Sequence, residues 1–225
     1  FLSEFQEYRV SRIFSPRKEE ITFPSMKEAI EGGKIILLSI ENDALARSVG
    51  TLLKLQYQEA VLAQYRAQGD RRNQHAAFLV IDEYQNVVTC GGAAGLGDER
   101  YLSVAREANA ITIVATQSVS SLENSIRNEA ATRELLQNFK TCTFANTTDS
   151  KTVRMYQEAF GSNEVERMSE NVSESASNSA SQSGAGSVSE GLAVHTGREF
   201  QVTAKEFARL RPFETYAQIF DGVDT

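Results

Sequence analysis

"HAAFLVIDEYQNVVTCGG", residues 75–92, runs from a dense apolar stretch straight into two adjacent carboxylates, Asp82 and Glu83. Phe78 to Ile81 are four consecutive apolar residues, the pattern of a strand buried on both faces. An unpaired charge next to such a strand is costly to desolvate, so the acids must stand at its mouth, where water or a cation can reach them. In an open parallel sheet ligands collect outside the carboxyl ends of the strands, so an acid at that tip faces a site and not the core.

Working outward, short apolar runs recur between longer segments of helical periodicity. "KIILLSI" (34–40), "AFLVID" (77–82), "AITIVATQ" (110–117), "TCTFAN" (141–146) and "YAQIF" (216–220) read as buried strands by length and β-branched content. Between the first two, Leu45, Val49, Leu52, Leu53, Tyr57, Val61 and Tyr65 fall at helical spacing, with Asn42 or Asp43 as cap and Gly69 as stop. Residues 98–109, 119–138 and 149–160 supply later helices, the last opening on "TTDSKT" and stopping at Gly161. This alternation predicts an α/β fold with a mostly parallel sheet flanked by helices.

The 225 residues are 41% hydrophobic and 24% charged, enough apolar matter for one ordinary core with an appendage. No run of 18 apolar residues occurs, and "FLSEFQEYRV" has neither the basic start nor the apolar core of a secretion signal. The absence of an initial Met fits a fragment of a longer chain. Cys90 and Cys142 lie far apart, and with only His75 and His195 beside them they make no His/Cys zinc site; they read as reduced core cysteines. A net charge of -7 argues against a surface that grips nucleic acid everywhere, though a local basic channel is compatible with it.

The stretch from Ser169 to Ser187 holds 8 serines, six of them at every second position from 173 to 183. It is too poor in apolar residues to fold by itself and reads as a Ser-rich flexible insertion, 169–196; a polar hairpin that orders against a partner is the alternative. Residues 21–168 are expected to form the core, and 197–225 a terminal strand-helix-strand that returns to it.

"FLVIDE" has the form of a Walker B segment. In that chemistry Asp82 holds a hydrated Mg²⁺ through water, and Glu83 polarises the water that attacks the γ-phosphate of ATP. The next strand ends in Thr116, Gln117 and Ser118. If the two strands are neighbours, a neutral amide stands beside the acids, where it can sense the γ-phosphate or orient the water. The phosphate cradle is missing: the sequence contains no GxxxxGK[ST]. "CGGAAGLGDER" (90–100) has no lysine and lacks GxGxxG spacing, so it reads as a mobile loop after the acids. A Walker A strand and helix are expected upstream of Phe1; otherwise the chain cannot hydrolyse ATP.

Together these segments resemble one family, the type IV secretion and conjugation coupling proteins, relatives of the FtsK and HerA DNA pumps. The likeness is carried in order by "ITFPSMKEAIEGGKIILLSIEND", "VGTLLKLQYQEAVLAQYR", "FLVIDEYQNV" with its aromatic after the Glu, "YLSVAREANAITIVATQSVSSLENSI", "ELLQNFKTCTFANTTDSKTVRMYQEAFG" and "FQVTAKEFARLRPFETYAQIF". The resemblance implies a RecA-like P-loop NTPase core, incomplete here because the Walker A half is absent. It implies a homo-hexameric ring on the cytoplasmic face of the bacterial inner membrane, which uses ATP and Mg²⁺ to pass DNA or secreted proteins to the secretion channel. Relaxase or adaptor proteins would be further partners.

Carried over by residue, the resemblance makes Asp82 the magnesium acid, Glu83 the catalytic acid and Gln117 the sensor, with Thr116 beside the nucleotide. Arg106, Arg127 and Arg133 are the candidates for an inter-subunit arginine finger. Residues 1–20 are expected as the tail of the family's all-helical insertion. The segment from Val87 to Gly97 could line a pore, but it holds no Lys or Arg with which to grip phosphate. Two other readings stay open: a docking module that does not hydrolyse ATP, and another FtsK/HerA-type ring ATPase.

Overall fold

A computed structural model describes residues 17–21, 23, 25–39, 44–67, 76–90, 97–175 and 187–222. The chain forms two compact units, divided between Lys140 and Thr141. Residues 21–168, expected as a single core, therefore fall in both. Residues 1–16 and the centre of the glycine-rich loop, 91–96, lie outside the described residues.

In the first unit a single 3-10 turn, Lys18–Glu20, precedes a short helix, α1 (Met26–Glu31), among the described residues. Ser25 Oγ accepts from the Glu28 amide at 3.2 Å while the Glu28 carboxylate accepts from the Ser25 amide at 3.1 Å, a reciprocal cap that satisfies two orphan donors. A long helix follows, α2 (Ala44–Ala67). Then come strand β1 (Ala77–Ile81), helix α3 (Asp98–Ala105) and strand β2 (Ala110–Val114). β1 and β2 pair in parallel, from Ala77 opposite Ala110 to Ile81 opposite Val114.

Residues 119–138, expected as one helix, are two: α4 (Val119–Ile126) and α5 (Glu129–Gln137). Arg127 turns left-handed at φ 58° and ends the first, and Asn128 caps the second by accepting from the Ala131 amide at 3.1 Å. Tyr84, Leu122 and Leu135 form one buried cluster, and Val61, Tyr101, Ala105 and Ala110 another.

Two expectations need correction in this unit. "KIILLSI" is not a strand over its described residues 34–39; Ile35 and Leu37 are 89% and 93% exposed. A buried strand needs a ladder partner, and none is paired with it among the described residues. The helix α2 also buries more than the apolar stripe read in sequence: Val61 of that stripe is buried and Tyr57 packs beside it, but Gly50, Lys54 and Gln58 are buried as well, while Leu52 is exposed. Lys54 and Gln58 are polar, and their partner is identified below.

In the second unit, β3 (Cys142–Phe144) pairs antiparallel with β6 (Tyr216–Gln218), an antiparallel pair within a fold expected to be mostly parallel. Helix α6 (Ser150–Phe160) is capped by Asp149, whose carboxylate accepts from the Thr152 amide at 2.9 Å and its hydroxyl at 2.6 Å. It stops at Gly161, whose φ of 82° suits glycine.

Two long strands, β4 (Ser162–Ser175) and β5 (Ser187–Phe200), pair antiparallel. The serine-rich stretch expected as flexible is thus laddered over 169–175 and 187–196, while 176–186 lies outside the described residues. Backbone hydrogen bonds do not depend on side-chain polarity, and every-second-residue spacing matches the pleat.

The short helix α7 (Ala204–Phe207) lies between β5 and β6, begun by a reciprocal cap of Thr203 and Glu206. Its Phe207 is fully buried, with ring centroids 5.3 Å from Tyr156 and 5.2 Å from Tyr216. Because Phe207 joins helix and sheet in this cluster, Phe207→Ala is expected to destabilise the second unit by about 3–5 kcal/mol. Urea denaturation of the variant measures this, and a loss below about 1 kcal/mol would show that the aromatic cluster is not its core.

Candidate functional site

The two parallel strands end side by side and bring the predicted residues together. Past the last paired residues the ladder continues: the Ala115 amide donates to the Ile81 carbonyl at 2.9 Å, and the Tyr84 amide donates to the Ala115 carbonyl at 2.8 Å. Asp82 and Glu83 therefore lie beside Thr116 and Gln117, and all four are exposed. Gln117 Nε2 donates to both Glu83 carboxylate oxygens at 3.0 Å. Gln85 Nε2 donates to the same carboxylate, and Gln85 Oε1 accepts from the Thr116 hydroxyl at 2.8 Å.

Gln85 was not singled out in the sequence; it links Glu83 to Thr116. Asp82 turns one oxygen to the Glu83 amide at 2.9 Å, an acid capping the turn that follows its own strand. Glu83 itself is left-handed, φ 52° and ψ 44°, an uncommon region for a residue with a Cβ.

Behind this exposed pair lies a buried polar assembly that periodicity did not reveal. Asp98, the first residue of α3, is 1% exposed. It accepts from Lys54 Nζ at 2.6 and 2.7 Å, Gln58 Nε2 at 2.7 Å, the Tyr84 hydroxyl at 2.7 Å and the Thr89 amide at 2.9 Å. Lys54 donates further to the Thr89 hydroxyl at 3.0 Å. This explains the two polar residues on the buried stripe of α2, since each meets the Asp98 carboxylate.

Burial lowers the Lys54 pKa from its ordinary value, and the charge of Asp98 opposes that shift. The Tyr84 phenol is pushed up, first by burial and then by the Asp98 charge, so it keeps the proton that it donates to Asp98. The Asp98 amide donates to the Thr89 carbonyl at 2.8 Å, which closes the base of the glycine-rich loop.

The arginine candidates stand at helix ends and faces. Arg106 and Arg127 are exposed at the C-caps of α3 and α4. Arg133 is paired with Glu129 at 3.1 Å on the surface of α5, a contact worth little in water.

No cluster of three or more His, Cys, Asp or Glu suited to a metal occurs among the described residues. A lone exposed carboxylate such as Asp82 fits a cation held through its water shell, and not one fully enclosed by protein. Among the described residues no helix is long and apolar enough to cross a membrane.

Removing one member of a buried pair leaves a charge without its partner. Lys54→Met is expected to cost about 3–5 kcal/mol in urea denaturation, and adding Asp98→Asn to it should recover part of that loss. An unchanged midpoint in the single variant would show that Asp98 does not need the ammonium. Nearby, the Cys90 thiol is pushed up to about 12 by burial and then by the Glu99 carboxylate. A raised pKa leaves less thiolate, so alkylation of Cys90 at pH 8 should be about a thousandfold slower in the native than in the unfolded chain. Equal rates by mass spectrometry would contradict that environment.

Comparison with known proteins bears on the fold and the family. The unbound monoclinic form of the bacterial conjugative coupling protein TrwBdeltaN70 is 20% identical, with a TM-score of 0.50, covering 74% of this chain and 34% of that one. The plasmid coupling protein TrwB in complex with ADP and Mg²⁺ is 18% identical, with a TM-score of 0.52 and coverage of 79% and 35%. The same protein with a non-hydrolysable ATP analogue is 18% identical, with a TM-score of 0.51 and coverage of 76% and 34%.

At these identities the likeness is one of fold, a RecA-like α/β fold represented here in part, and the chain spans about a third of the length of these solved relatives. No curated protein matches the sequence. Residues 22–225 match the family described as the type IV secretion-system coupling protein DNA-binding domain. The chain belongs to that family.

Proposed function

We propose that this chain is the hydrolytic half of a coupling ATPase that moves DNA or protein substrates to a type IV secretion or conjugation channel. The observation that carries the reading is the bond from Gln117 on one parallel strand to Glu83 on the next, at an exposed tip. An exposed carboxylate held as an acceptor by a neutral amide can take a proton from an attacking water, and the amide can report whether a phosphate has displaced it. Asp82 would hold Mg²⁺ through water, and bound magnesium would offset charge on the β- and γ-phosphate oxygens. Thr116 would stand beside the nucleotide. The relative TrwB is solved with ADP and Mg²⁺ and with an ATP analogue, which supports ATP and Mg²⁺ as the cofactors.

The phosphate cradle does not come from this sequence, so the proposed active unit is a longer chain with its own Walker A segment. A homo-hexameric ring at the cytoplasmic face of the inner membrane is the proposed setting, with a relaxase or adaptor delivering cargo. In it one of Arg106, Arg127 and Arg133 would reach a neighbour's nucleotide. All three side chains are exposed, and the surface pair of Arg133 with Glu129 is weak enough to be exchanged for a phosphate.

The test is ATP turnover by the full-length chain that carries this segment, with and without single- and double-stranded DNA. Glu83→Gln should lower kcat by about 10²- to 10⁴-fold while leaving Mg-ATP affinity within about threefold. Wild-type turnover in that variant would remove Glu83 from the chemistry. A well-folded parent that never hydrolyses ATP would point instead to a docking module.

A further inference from the structure

We infer that Tyr84 and Asp98 are positioning residues for Glu83, acting from the buried side of the turn that carries it. The inference rests on the proposed role of Glu83 and goes beyond it, because neither residue faces the exposed tip.

The physical reason lies in the backbone. Glu83 occupies the left-handed region at φ 52°, where a side chain with a Cβ is disfavoured unless its surroundings hold the backbone there. The next residue, Tyr84, is held from three directions. Its amide donates to Ala115 on the β2 side at 2.8 Å. Its ring is 2% exposed and clusters with Leu122 and Leu135. Its hydroxyl donates to Asp98 at 2.7 Å.

Asp98 is fixed in turn by Lys54, Gln58 and the Thr89 amide. A carboxylate with donors from α2, the segment after the turn and Tyr84 has little freedom to follow the tyrosine if it moves. The assembly thus holds the peptide between Glu83 and Tyr84, and with it the direction in which the Glu83 side chain leaves the strand tip toward Gln117.

Tyr84→Phe probes this cleanly. It keeps the ring in the core and leaves Asp98 with Lys54, Gln58 and Thr89, so the buried charge stays paired and the fold is retained. In the full-length chain carrying this segment, Tyr84→Phe should lower kcat for ATP by about tenfold with KM within about twofold, because a misaimed base is lost in the transition state and not in binding.

The decisive comparison is the cycle with Glu83→Gln. If Tyr84 acts through Glu83, the double variant is no slower than Glu83→Gln alone; a further loss of about tenfold would mean that Tyr84 acts elsewhere, and overturns the inference. Wild-type kcat in Tyr84→Phe beside an inactive Glu83→Gln would also overturn it, while leaving the role of Glu83 intact. Wild-type turnover in Glu83→Gln would instead remove the reading on which the inference rests.

Discussion

The parallel register of β1 and β2 is the constraint on which the site depends. Ile81 is opposite Val114, and the two hydrogen bonds beyond them, at 2.9 and 2.8 Å, carry the pairing to Ala115 and Tyr84. Two strands that end together place the residues after each tip as neighbours, although Glu83 and Gln117 are 34 positions apart in sequence. A slip of one residue in that ladder would turn each strand's side chains to the opposite face and part the acid from the amide. The register of the strand pair therefore fixes which residues meet at the tip.

The sheet also shows what this part of the fold does not supply by itself. Leu79 and Ile81 are half-buried, whereas Phe78, Val80, Ile111 and Ile113 on the other face are 43% to 68% exposed. Parallel sheets are normally covered on both faces, and ligands sit where several strand tips converge. In the proposed motor a fuller sheet would cover that face.

Much of the site was legible because its signals are local. A run of apolar residues ending in two acids, and a second run ending in Thr-Gln-Ser, place Asp82, Glu83, Thr116 and Gln117 at strand tips. The buried assembly was not legible, since Lys54 and Gln58 lie off the apolar stripe that marks the helix's expected buried face. Only the fold brings Asp98 to them, across 44 and 40 positions. "KIILLSI" misled for a related reason: apolar content gives the propensity for a strand, but a strand exists only when a neighbour pairs with it. The break at Arg127 was hidden because an arginine is an ordinary helix former, and Asn128 as a cap became visible only once the helix had stopped.

The left-handed torsion at Glu83 also restricts what substitution can do there. Asn and Asp are the side chains that enter this region most readily after glycine, and β-branched residues enter it least. Asp keeps the charge but is one methylene shorter, and Asn gives up the charge as well. The replacements most acceptable to the backbone are thus poorly suited to reach Gln117, and a change drawn from them would alter the chemistry while leaving the turn undisturbed. Under the role proposed for Glu83, position 83 is one where sequence drift would remove the activity without unfolding the protein.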